Sequence, residues 1–144
     1  MNVGMTRHCL TDYDVKVLTG FVMCLQHKQE FMQIYLKSYP ELAALAASIN
    51  SDTEAFDWLL KNGYPEFAAL SDSIDDEDEA TEWLERYHYD FLSRFAAACR
   101  QDEAAIQWFK ERDLKLFLWM IDTIQRILLQ QSLDASNVHK IRRI

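Results

Sequence analysis

Glycine and proline are scarce in this chain of 144 residues, with three of the first and two of the second. So few turn-forming residues cannot serve the many tight turns of a β-sandwich, and the abundance of Ala, Leu, Glu, Gln, Lys and Met points to helices. The three glycines stand apart in sequence, so no phosphate-cradling glycine loop can be assembled from them. Cys9, Cys24 and Cys99 form no C-x-x-C pair, which excludes a structural zinc knot and suits reduced thiols packed as small hydrophobes. Long apolar runs are missing too. The most apolar stretch, Leu116 to Ile121, is bounded by Lys115 and Asp122, so no membrane-spanning segment is expected. The first residues do not resemble a signal peptide, and a cytoplasmic protein is expected.

What the chain does contain is a repeat of 25 residues. Tyr39-Pro40-Glu41-Leu42-Ala43-Ala44-Leu45 returns as Tyr64-Pro65-Glu66-Phe67-Ala68-Ala69-Leu70 and, more loosely, as Tyr89-Asp90-Phe91-Leu92-Ser93-Arg94-Phe95. The same step links Trp58, Trp83 and Trp108. Within each copy Leu42, Leu45 and Ile49, then Phe67, Leu70 and Ile74, then Leu92, Phe95 and Cys99 hold helical spacing, and a second set follows a polar corner. Each copy therefore reads as two short antiparallel helices. Ser51 with Glu54 and Asp76 with Glu79 have the spacing of capping boxes, Gly63 suits a left-handed helix end, and Pro40 and Pro65 suit helix starts.

The expected fold is all-α: one domain, 1–144, built as a curved one-layer stack of about nine helices, with repeats at 39–63, 64–88 and 89–113. Residues 11–38 read as a degenerate N-terminal hairpin started by Thr11 or Asp12, 114–131 as a long capping helix, and 132–144 as a basic tail, frayed or ordered by a partner. The tryptophans are expected to be interior ridges of the stack. The last helix carries an apolar arc of about 200°, because Leu116, Trp119 and Ile127 widen the face formed by Phe117, Met120, Ile121, Ile124 and Leu128. Its surplus must be covered by the N-terminal segment, a second copy or a partner.

These copies, with Glu54-Ala55-Phe56-Asp57-Trp58-Leu59-Leu60-Lys61-Asn62-Gly63, resemble a short helical-hairpin repeat of uncharacterised bacterial proteins. The resemblance covers 39–113 and implies a fold without implying a site. It is distinct from the 34- and 33-residue periods of tetratricopeptide and ankyrin units.

Net charge is −8, and it is concentrated: residues 39–88 hold thirteen acids against two bases. Such a pole repels phosphate backbones and argues against direct nucleic-acid binding. Glu85 and His88 have metal-ligand spacing, but the motif occurs once and His88 falls at the helix-end position of Gly63. No nucleophile motif is present, so no cofactor, metal or enzymatic activity is expected. The expectation is a protein-interaction or scaffold module for an unidentified protein partner, with a homodimer through the last helix as one form. Its candidate surface comprises Asp75, Asp76, Glu77, Asp78, Glu79, Leu116, Trp119 and Ile127. Two alternatives stand beside it: an acidic mimic of nucleic acid that occupies a basic protein, and an enzyme with a site assembled between repeats.

Overall fold

The 25-residue period becomes eight α-helices in the computed structural model, which describes residues 7–27, 32, 34 and 37–142. A short 3-10 turn, Leu10–Asp12, leads into α1 (Val15–Leu25). The three repeats supply α2 (Pro40–Ile49) with α3 (Thr53–Lys61), α4 (Pro65–Ile74) with α5 (Asp78–Arg86), and α6 (Asp90–Cys99) with α7 (Glu103–Glu111). The chain ends in α8 (Lys115–Arg142). Among the described residues there is no strand. In the second half of the N-terminal hairpin, residues 32, 34, 37 and 38 are helical, whereas Phe31 and Tyr35 lie outside the described residues.

The first helices of successive units pack side by side, α1 on α2, α2 on α4, α4 on α6 and α6 on α8. The ring then closes, because α1 also packs on α8. The expected stack is thus curled until its ends meet. Its inner surface is a single cluster, to which α1 gives Leu18, Phe21, Val22 and Leu25, α2 gives Leu42, Leu45 and Ile49, and the later first helices give Phe67, Leu70, Leu92 and Phe95. From α8 come Phe117, Met120, Ile121 and Ile124. Short helices leave about a third of their circumference to bury, and alanines at Ala43, Ala46, Ala68, Ala96 and Ala98 let the backbones approach. The second helices α3, α5 and α7 pack outside this ring. The N-terminal helix therefore packs on α8, while Trp119 of the surplus face stays 38% exposed.

Each helix end is built the same way. Ser51, Asp76, His88, Gln101 and Asp113 all have φ between 52° and 77°, and Gly63 has φ 87°. At the first corner Ser51 N–H donates to Ser48 O and Asp52 N–H to Ala47 O, the paired bonds of a Schellman motif. The same pattern recurs at Asp76 and Glu77, and at Gln101 and Asp102. This corrects the capping boxes: Ser51 and Asp76 close the preceding helix instead of opening the next. Asp52 caps α3, accepting from the amides of Glu54 and Ala55, and Asp102 caps α7. Glu77 holds the same position before α5 without a side-chain cap bond. Asp14, not Thr11 or Asp12, caps α1 through Val17 N–H.

The tryptophans also differ from expectation. Leu59, Leu84 and Phe109, one residue later in each copy, are wholly buried, while Trp58, Trp83 and Trp108 are half-buried at the rim. Trp58 stacks on Tyr64 at 13° between planes and Trp83 on Tyr89 at 11°. In the third copy the tyrosine is replaced by Leu114, and Arg94 and Arg112 lie over Trp108 instead. The last helix, finally, does not stop near Gln131 but continues to Arg142.

Candidate functional site

Glu41 and Glu66, the repeated third residues of Tyr-Pro-Glu, are buried, at 8% and 1% exposure. Each sits at the second position of its helix, behind a proline, where a carboxylate meets the positive end of the helix dipole. Each accepts from the tyrosine of the next unit: Tyr64 Oη donates to Glu41 Oε2 at 3.4 Å, and Tyr89 Oη to Glu66 Oε2 at 2.9 Å. The N-terminal segment completes both sets. Tyr13 Oη donates to Glu41 Oε1 at 3.3 Å, and His8 Nδ1 lies 3.1 Å from Glu66 Oε1. Arg7 lies over the Tyr89 ring and donates to Tyr87 O and His88 O. At the third junction the pair is replaced by apolar residues, with the Phe91 and Phe117 rings 5.0 Å apart.

Burial, then hydrogen bonding to Glu66 and its charge, push the Tyr89 phenol up to about 12, against a smaller opposing pull from Arg7. Tyr13 and Tyr64 are raised in the same way, burial first and Glu41 second. These phenols hold the protonated form that the buried carboxylates need as donors. The arrangement ties each unit to the next and the N-terminal strap to both. It was readable in outline, since Tyr and Glu recur at the same step as the apolar positions, and a repeated acid at a repeated site invites a fixed partner. We expect Tyr89→Phe to cost about 1–3 kcal/mol, because it leaves a buried carboxylate oxygen without its donor. Stability in wild type should decline above about pH 10, where the unfolded chain's phenols lose protons that the folded chain retains, and this loss continues through about pH 12. Urea unfolding across pH checks both, with a shallower alkaline decline in Tyr89→Phe.

The acidic run lies elsewhere. Asp75, Asp76, Glu77, Asp78 and Glu79 are all exposed, forming the corner between α4 and α5. Asp76 faces Arg100 Nε at 3.7 Å. Leu116 and Ile127 are half-buried, and Trp119 is 38% exposed. Beside Ile127, a groove of about 720 Å³ lies between α8 and the ends of α1 and α2, bordered by Leu25, His27, Asn50, Thr123 and Gln131. His88 is exposed in the left-handed position after α5. Among the described residues no three His, Cys, Asp or Glu side chains are grouped to hold a metal ion. Cys24 and Cys99 are buried, which raises both thiols, Cys24 to about 11, and suppresses the reactive thiolate. No helix among the described residues is long and apolar enough to cross a membrane.

Comparison of the chain with protein-family models, with curated proteins and with solved structures finds no match.

Proposed function

We propose that the protein is a non-enzymatic interaction module that binds another protein through the acidic corner and the last helix. The observation that carries this reading is the length of α8. Its 28 residues span about 42 Å at 1.5 Å per residue, yet no residue from Gln125 to Ser136 is buried. Leu129 and Leu133, one turn apart, are 61% and 50% exposed. An apolar pair on a helix that extends past its own core is the pattern of a helix that docks against a second surface.

Affinity capture from lysate tests it, comparing wild type with Leu129→Ser/Leu133→Ser and with Asp75, Asp76, Glu77 and Asp78 replaced by Ser. A specific protein recovered by wild type and reduced at least about tenfold by each variant supports the module. Equal recovery by all three overturns it. Sizing of the same proteins identifies the homodimeric form, since a dimer split by the leucine variant makes the partner a second copy.

A further inference from the structure

Six exposed residues of α8 form one seam. Lys115, Trp119, Asp122, Arg126, Leu129 and Leu133 follow one another at steps of four, three, four, three and four, and at about 100° per residue they fall within an arc of about 80°. The arc points away from Phe117, Met120, Ile121 and Ile124, which face the centre of the ring. Alternating steps of three and four keep one side of a helix against a neighbouring helix over several turns. Among the described residues the chain supplies no such neighbour. The first helices α2, α4 and α6 are each followed by an outer helix that packs on them, whereas α8 is followed by none and runs on.

The spacing of the six reads the same from either end, with its midpoint at Ile124. Asp122 and Arg126 stand two residues to either side of that point, Trp119 and Leu129 five, and Lys115 and Leu133 nine. A two-fold axis at the midpoint lays the seam antiparallel on its own copy, so that every member meets a member. Trp119 then faces Leu129 of the second copy, Asp122 faces Arg126, and the methylenes of Lys115 run beside Leu133. A parallel pair in register would instead set Asp122 on Asp122 and Arg126 on Arg126, so the charges select the antiparallel one. Within the chain Arg126 Nη2 lies 3.0 Å from Asp122 Oδ2, with both side chains exposed. A carboxylate has two oxygens and a guanidinium five donors, which leaves capacity for a second bond across the axis.

We propose that α8 pairs antiparallel with α8 of a second copy through this seam. The proposal deepens the interaction-module reading: it names the partner at the last helix and rests on that reading only in taking α8 as a docking face. The seam is about 27 Å long, short for a permanent interface, so the pair is expected to form in the micromolar range.

Sedimentation of the full chain from micromolar to near-millimolar concentration tests it, with a monomer–dimer equilibrium expected in wild type. Asp122→Arg sets two arginines against two across the axis, and Arg126→Asp does the same with aspartates. Each alone should weaken dimerisation at least about tenfold, with unchanged circular dichroism because both positions are exposed. Mixing the two variants should restore association as a mixed dimer, since the arginines of one then face the aspartates of the other. Asp122→Arg/Arg126→Asp, which only exchanges the charges, should dimerise like wild type. A monomer at every concentration overturns the pairing, as does a dimer that neither single variant weakens or that mixing does not restore. A strict monomer whose capture of a lysate protein is still reduced by Leu129→Ser/Leu133→Ser would sink the pairing and leave the module standing.

Discussion

Replacing Phe21 by alanine is expected to cost about 3–5 kcal/mol and to lower the stability of the whole molecule in one transition. Phe21 is fully buried in α1, the first described helix of the chain. In an open stack of repeats a terminal helix touches one neighbour, and losing its core residue loosens that end alone. Here α1 touches both α2 and α8, so its side chains fill the centre of a closed ring. Phe95→Ala, at the middle of the chain and equally buried, should therefore cost a similar amount. Urea unfolding followed by fluorescence and by circular dichroism checks this. Coincident transitions for both variants agree with closure. An early, separate transition in Phe21→Ala, with α1 amides exchanging well before those of α6, would show that the ring is not a single cooperative unit.

The second large effect runs in the opposite direction. Five non-glycine residues in the corners, together with His27 after α1, hold positive φ. A side chain in that region costs on the order of 1 kcal/mol, which glycine avoids. His88, Gln101 and Asp113 are the favourable sites for change: their side chains are exposed, and among the described residues only the Asp113 carboxylate of the three has an ion-pair neighbour, Lys115 at 4.0 Å. The triple replacement by glycine should raise stability by about 2–3 kcal/mol, observed as a higher urea midpoint with unchanged slope. Gly63→Ala provides the converse. A methyl group there would meet nothing within 4 Å, so its expected penalty of about 1 kcal/mol comes from φ 87° alone. A triple variant no more stable than wild type would mean that the corners are held by something other than local backbone preference.

The repeat was legible because its apolar positions recur at one step, and Leu42, Phe67 and Leu92 do lie in equivalent places in the ring. Closure was not legible, since nothing local in Leu18 or Phe21 states which of several apolar faces it will meet. The tryptophans misled for a related reason. Trp58 and Leu59 are adjacent on a helix about 100° apart, and with outer helices this short either could face inward. The smaller residue does, and the indole lies along the rim against the next tyrosine. The capping boxes failed at Ser51 and Asp76 because a Ser or Asp near a corner can end one helix as readily as begin another. The acidic corner was visible as composition.

Ring closure also sets how this architecture can vary. Open arrays lengthen or shorten by whole units, because an added copy simply finds a new end to sit on. In this chain an extra hairpin inserted after Gly63 would have to part α1 from α8, exposing Leu18 and Phe21 on one side and Ile121 on the other. The number of units is therefore as much a property of the fold as the length of each one.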